Sequence, residues 1–456
     1  MIFHDYPWRH WRTLRPRVQA LRLGDEILDW QQLCLRVDAL AAGFAAQNVQ
    51  PDDGVLLRAY NNPQTLLAWL ALLQCGARVL PVNPQLPREL VAALLPQFSL
   101  RHALVLTDEN PFDALIELVL QQAKKDVPGV AWQAERLATM TLTSGSSGLP
   151  KAAVHTLDAH LASAEGVLAL MPYGETDDWL LSLPLFHVSG QGILWRWLLK
   201  GARLTVRERV PLAHMLEGCT HASLVPTQLW RLLNDDETLT LNTVLLGGAA
   251  IPVELAEHSR SCGIRTFCGY GLTEFASTVC AKETDGEADV GSALPGREVK
   301  VVDGEIWLRA KSMAAGYWRN GVLTPLTNAE GWFPTRDRGE LHGDRLTVLG
   351  RMDNLFFCGG EGIQPEEVER VIARHPQVEQ IFIVPLDDDE FGQRPVAVVE
   401  GGDDFDVTQM PDWAMDKLAR FQQPVCWFML PASLKTGGIK IARRALQEWV
   451  NATLRG

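Results

Sequence analysis

Apolar residues recur at helical spacing from about 27 to 46, and Val55-Leu56-Leu57 then forms an unbroken apolar run of the kind that fills a short buried strand. A second helical stretch, over 63 to 74, stops at Gly76 and leads into a strand over 77 to 82. Strand, helix and strand in that order predict a parallel sheet with crossover helices. Residues 107 to 136 are polar and weakly patterned, and read as a surface connection. Beyond them the spacing predicts a helix from about 151 to 170 and an apolar strand leading to His187. Two further strands end near Leu246 and Phe267 and run into glycine turns. Over the last hundred residues, strands at 381 to 385 and 395 to 400 alternate with helices, as in a compact α+β unit. The chain as a whole is α/β.

Its 456 residues exceed what one core ordinarily supports, so two or three domains are expected. A hydrophobic share of 47% with 21% charged residues is that of a globular protein. The net charge of −13 opposes nonspecific binding to nucleic acid and to anionic membranes. The strongest apolar run, Leu66 to Leu73, falls far short of a membrane span, and the N-terminus lacks the pattern of a signal peptide. Cytoplasmic residence without membrane insertion is therefore expected. Eight scattered cysteines, with no C-x-x-C pair, fit reduced and mostly buried thiols rather than a disulfide framework or a zinc site. Nothing in the sequence sets the oligomeric state, and a homo-oligomer is left open.

Chemistry concentrates first in Met140-Thr141-Leu142-Thr143-Ser144-Gly145-Ser146-Ser147-Gly148-Leu149-Pro150-Lys151-Ala152. Glycines let backbone N–H groups approach a ligand, and the hydroxyls with one ammonium supply donors without bulk. A polyphosphate wants this arrangement. Ser/Gly clusters are also ordinary loops, but a lysine three residues after the last glycine, with a helix expected to open at Pro150, favours phosphate. The spacing is not that of a Walker loop, which places its lysine directly after the second glycine.

A second concentration is Trp195-Arg196-Trp197 in an otherwise apolar run. A buried guanidinium without a partner is costly. Either it stacks on an indole, snorkels or meets a protein carboxylate, or it meets a substrate carrying a carboxylate remote from the reacting one. His187 reads alone as a core histidine, Thr273-Glu274 as a helix cap, Asp337 among arginines as a salt bridge, and Lys440 as a solvated charge.

The glycine-rich stretch resembles the phosphate-binding signature of the adenylate-forming superfamily, Thr-Ser-Gly-Thr/Ser-Thr-Gly-x-Pro-Lys-Gly, departing at Ser147 and Ala152. This resemblance implies a large N-terminal domain of layered sheets and helices, 1–352, and a small mobile α+β domain, 353–456, hinged at Asp353. It implies ATP, Mg²⁺ and CoA as reaction partners. Thr143, Ser144, Gly145, Ser146, Ser147, Gly148 and Lys151 would hold phosphates. Gly247, Gly248, Gly269, Tyr270 and Gly271 would form the nucleotide pocket, with Tyr270 stacking on adenine. Thr273 would meet the α-phosphate, Glu274 the metal, and Asp337 the ribose, beside Arg351. His187 in Pro-Leu-Phe-His resembles the gate of the acyl pocket, to which Ser189, Gln191 and Arg196 are assigned. Gly359 and Gly360 would admit the pantetheine arm of CoA. Lys440, with Lys435 as the weaker candidate, would be the catalytic lysine of adenylation.

Within the superfamily the tryptophan-rich start Pro7-Trp8-Arg9-His10-Trp11-Arg12, Trp195-Arg196-Trp197, the run from Gly271 to Cys280, Phe421-Gln422-Gln423-Pro424 and Gly437-Gly438-Ile439-Lys440 resemble the bacterial 2-succinylbenzoate–CoA ligases of menaquinone biosynthesis. That implies ligation of 2-succinylbenzoate to CoA through an acyl-adenylate, releasing AMP and pyrophosphate. Competing readings are an acyl- or aryl-CoA ligase of another specificity, which gives Arg196 no partner, and an AMP-binding module without turnover.

Overall fold

A computed structural model describes residues 2–107, 112–123, 129–143, 150–208, 210–234, 239–247, 251, 253–402, 405–435 and 441–455. Among them the strands form three sheets, of thirteen, eight and five strands. The eight-stranded sheet contains Gly54–Arg58 and Arg78–Val82, paired in parallel and wholly buried. Helix Pro63–Gln74 crosses between them. Asn62 caps it by accepting the Thr65 N–H at 2.8 Å, and Pro63 takes the position where a missing N–H costs nothing. Every residue from Thr65 to Gln74 is buried, which explains a sequence that is apolar all round. The next long helix, Trp30–Ala46, begins at a capping box in which Asp29 and Gln32 satisfy each other's backbone N–H groups.

The thirteen-stranded sheet has a parallel core, including His221–Leu224, Thr243–Leu246 and Arg265–Leu272. It continues through antiparallel strands, among them Ser277–Glu283, Phe333–His342 and Arg345–Arg351. Two helices frame the site. Leu157–Leu170 packs against Val188–Lys200, and both touch Ser277–Glu283. The N-terminal tryptophans hold the second helix from behind, for Trp11 Nε1 donates to Leu198 O at 2.7 Å and Trp30 stacks on Trp197 with centroids 5.5 Å apart. The five-stranded sheet uses only residues between Phe356 and Met429 and shares no described strand with the other two.

Four expectations need correction. The segment after the glycine-rich stretch is not helical from 151: Lys151–Thr156 is a strand, antiparallel to Leu137–Thr143, and the helix starts only at Leu157, where Thr156 accepts the Ala159 N–H at 3.1 Å. Ladders on both sides claim its backbone, so β structure prevails over a proline that suits a helix start. Gly269 and Gly271 lie inside strand Arg265–Leu272 rather than in a turn after it, because Ser277–Glu283 extends the ladder past them. In the last hundred residues the two strands form one hairpin, Val378–Asp388 with Gly392–Gly401. The connection read as purely surface also contributes Phe112 and Leu118 to the core.

All eight cysteines are free, and six are buried. No helix among the described residues is long and apolar enough to cross a membrane.

Candidate active site

The residues expected to meet a nucleotide include a chain of paired polar groups. Asp337, 5% exposed, lies on strand Phe333–His342. Its Oδ2 accepts the Tyr270 hydroxyl at 2.5 Å and its Oδ1 accepts Arg351 Nη1 at 2.8 Å. Burial and the neighbouring carboxylate push the Tyr270 phenol well above its ordinary range, so it stays a donor. Arg336 has φ +64°, a left-handed conformation that favours glycine. Its N–H donates to Glu305 Oε1 at 2.9 Å, and its Nη2 reaches the expected hinge, Asp353 Oδ1, at 2.7 Å.

Glu274 follows directly on the Arg265–Leu272 strand in a single turn, Thr273–Phe275, and is 8% exposed. Tyr317 donates its hydroxyl to Glu274 Oε1 at 2.6 Å, and Lys151 Nζ lies 5.1 Å from the centre of the Tyr317 ring. Glycine is required at Gly271, since a Cβ there would sit 1.9 Å from Ser277 O. Gly247 ends strand Thr243–Leu246 in open space. Thr143 and Lys151 pair across the antiparallel strands Leu137–Thr143 and Lys151–Thr156. Ser144, Gly145, Ser146, Ser147, Gly148, Gly248 and Lys440 lie outside the described residues. Lys435 pairs with Glu400 at 2.7 Å.

The residues expected to line an acyl pocket are organised by helix Val188–Lys200. His187 is its N-cap residue, with the Phe186 ring 4.9 Å away, and Ser189 falls in its first turn. Asn61 fixes the approach to it, donating to Leu183 O at 2.8 Å and accepting from Leu185 N–H at 3.0 Å. Gln191 is buried and spends its amide on Thr141 Oγ1 and Leu185 O, both at 3.0 Å, while its Oε1 has no partner among the described residues. Arg196 is 1% exposed, with its guanidinium carbon 5.3 Å from the centre of the Trp179 ring. No carboxylate among the described residues pairs with it, and its Nε and Nη1 make no hydrogen bond there. Burial and the Arg297 cation lower its pKa to about 9, so it remains charged at neutral pH. Gly192 gives it room: a Cβ there would stand 3.0 Å from Arg196 Nη2 and 3.4 Å from Ser277.

The family described as AMP-binding enzyme matches residues 8–318. Over 450 residues the chain is 67% identical to the 2-succinylbenzoate–CoA ligase of Escherichia coli and 66% identical to that of Salmonella typhimurium, with 99% of each chain covered in both cases. A solved structure of an arginine-to-lysine variant of Escherichia coli MenE with bound OSB-AMS has a TM-score of 0.94, at 67% identity and 99% coverage of both chains. The chain belongs to the AMP-binding enzymes.

This AMP-binding enzyme gathers Tyr270, Glu274, Asp337, Arg351 and Lys151 on one side and Gln191 and Arg196 on the other. Asp353 is tied to Arg336 on the nucleotide side. Gly359 and Gly360 form the two-residue turn of hairpin Phe356–Cys358/Glu361–Ile363, with φ +59° and +88°. The positive φ values alone call for glycine there. Tyr317, Asn61, Trp179 and Arg297 were not singled out by the sequence. No group of three or more metal-ligating side chains exists among the described residues. That suits Mg²⁺, which takes one or two carboxylates together with substrate phosphates and keeps its waters; Glu274 fits that part.

Proposed function

We infer that the chain ligates 2-succinylbenzoate to CoA at the expense of ATP, through an acyl-adenylate, as a step of menaquinone biosynthesis. The observation that carries the substrate is Arg196: a buried, charged guanidinium with two unpartnered nitrogens. It calls for an anion that arrives with the ligand, and 2-succinylbenzoate has a second carboxylate to offer.

In the first half-reaction a carboxylate oxygen attacks the α-phosphorus and the bond to pyrophosphate breaks. Both reactants are anions, so fixed positive charge has to meet them. Lys151 and the glycine-rich stretch hold the leaving phosphates, Thr273 meets the α-phosphate, Tyr270 offers its ring to adenine and Asp337 takes the ribose. Lys440 bridges nucleophile and phosphorus. Glu274, together with the substrate phosphates, would hold Mg²⁺, which would supply further charge neutralisation. His187 gates the acyl pocket, whose first helical turn carries Ser189 and Gln191.

In the second half-reaction the CoA sulfur attacks the carbonyl, losing its proton, and the bond to AMP breaks. The unit from 353 to 456 turns about Asp353, withdraws Lys440 and brings the Gly359-Gly360 turn to the site. The enzyme works in the cytoplasm. Mass spectrometry after incubation with ATP, Mg²⁺, CoA and 2-succinylbenzoate, beside benzoate and a fatty acid, tests this reading. Thioester and AMP from 2-succinylbenzoate are expected; a product from a monocarboxylate alone would leave an acyl-CoA ligase of other specificity. For the hinge, Asp353→Pro is expected to spare adenylation, read by pyrophosphate exchange, and to stop thioester formation.

A further inference from the structure

Arg297 is a second buried cation on the acyl side, and the reaction as described does not use it. It opens strand Arg297–Val302 and is 7% exposed. Its guanidinium meets four backbone carbonyls: Pro295 O at 2.7 Å, Ser163 O at 3.0 Å, Thr278 O at 3.2 Å and Ala162 O at 3.3 Å. No carboxylate within 4 Å pairs with it among the described residues, while Glu165 and Cys280 act on it through charge.

The chain makes room for this group at some expense. Gly166 lies inside helix Leu157–Leu170, where glycine is about 0.5–1 kcal/mol worse than alanine. A Cβ at Gly166 would lie 1.9 Å from Arg297 Nη1 and 2.5 Å from its guanidinium carbon. The packed partner helix does the same for Arg196 at Gly192. Two buried guanidiniums without a carboxylate in contact are thus each seated over a glycine, one on either helix.

Between them runs a strained turn. Ala276 has φ +52° and Ser277 φ +116°, conformations that side-chain-bearing residues rarely adopt. Ser163 Oγ donates to Ala276 O at 2.8 Å, and Arg297 Nε donates to Thr278 O. Arg297 therefore holds this turn from behind, while Ser277 faces Gly192 beside Arg196.

We propose that Arg297 is a specificity-determining positioning residue of the acyl pocket: it fixes the Ala276-Ser277-Thr278 turn and adds a second positive charge with no carboxylate in contact, which favours a substrate with two carboxylates. This rests on the dicarboxylate reading above. A buried cation whose donors are spent on carbonyls keeps its charge, and an anionic ligand that enters nearby offsets it further.

The test compares kcat and KM of the full chain for 2-succinylbenzoate and for 4-oxo-4-phenylbutanoate, which keeps the chain-end carboxylate and lacks the one on the ring. Arg297→Gln is expected to lower the preference for the dicarboxylate at least about tenfold, through its KM, while the KM for 4-oxo-4-phenylbutanoate moves less than about threefold. Arg297→Lys, which restores the charge, is expected to keep most of the preference. Gly166→Ala, which displaces the guanidinium but leaves the arginine in the chain, is expected to act as Arg297→Gln does, and it carries the test if that variant does not fold. Equal loss with both acids in every variant, or Lys no better than Gln, would overturn the proposal in favour of a core staple. A wild-type protein with no preference would sink the dicarboxylate reading and this inference together; a preference undiminished in Arg297→Gln would sink this inference alone.

Discussion

The two sides of the site treat their buried charged groups in opposite ways. Among the residues expected to meet nucleotide, Asp337 already accepts Tyr270 and Arg351, and Glu274 accepts Tyr317. On the acyl side Arg196 Nε and Nη1, Gln191 Oε1, Trp195 Nε1 and His160 Nδ1 are buried with no partner among the described residues. A ligand that exchanges one hydrogen bond for another gains little, typically about 1 kcal/mol, whereas one that satisfies an orphaned buried group gains the whole desolvation penalty. On the proposed reading, nucleotide recognition is therefore expected to tolerate single losses and acyl discrimination to be concentrated in a few atoms.

The largest effect belongs to Arg196. Arg196→Ala is expected to lower kcat/KM for 2-succinylbenzoate about 10³-fold, or roughly 4 kcal/mol, because the substrate's second carboxylate would then be buried alone. Thioester formation followed by mass spectrometry measures it; a loss under tenfold would place that carboxylate elsewhere.

Next comes the cost of buried imidazoles. Burial pushes His155 down to about 4, partly offset by the backbone of Glu274 and Thr273. The native state then keeps it neutral while the unfolded chain takes up a proton below about 6.5. Its contribution to stability is complete above that pH and is lost as pH falls towards 4, by about 3 kcal/mol. His160, also driven down by burial, adds to the same limb. Urea denaturation from pH 7 to pH 4.5 is expected to show a shallower acid limb for His155→Leu, and an unchanged slope would mean that His155 titrates normally.

The chemistry of both sides was easier to read in the sequence than the path of the chain between them. Arg196 stood out because a charge among tryptophans is an anomaly that hydrophobic patterning cannot absorb. Helix Pro63–Gln74 was legible to the residue, since proline starts it and glycine follows its end. Lys151–Thr156 was not, because Ala152 to His155 are buried on both faces and show no alternation. Tyr317 and Arg297 left no local signal: Tyr317 meets Glu274 across 43 residues and Arg297 meets Ser163 across 134, and only the fold brings them together.

Tyr317 sharpens the comparison from the nucleotide side. Tyr317→Phe removes one neutral donor from Glu274 and leaves the carboxylate in place, so adenylate formation is expected to slow about tenfold, near 1.4 kcal/mol, with a raised Mg²⁺ requirement. Pyrophosphate exchange across a Mg²⁺ titration reads both. A loss rivalling that of Arg196→Ala would erase the contrast between the two sides.

The smallest effect is expected where strain and an ion pair oppose each other. Arg336 holds a left-handed backbone that costs a side-chain-bearing residue about 1–2 kcal/mol and glycine almost nothing. Its pair with Asp353 has side chains 58% and 32% exposed, and such pairs contribute about 0–1 kcal/mol. Arg336→Gly should therefore leave stability to urea unchanged or raise it by up to about 1 kcal/mol. Because the lost contact joins the ribose-side loop to the hinge, any functional change should fall on thioester formation rather than on pyrophosphate exchange. A marked loss of stability would show that the Arg336–Asp353 pair outweighs the strain, and that the nucleotide side, too, has a contact it cannot exchange without cost.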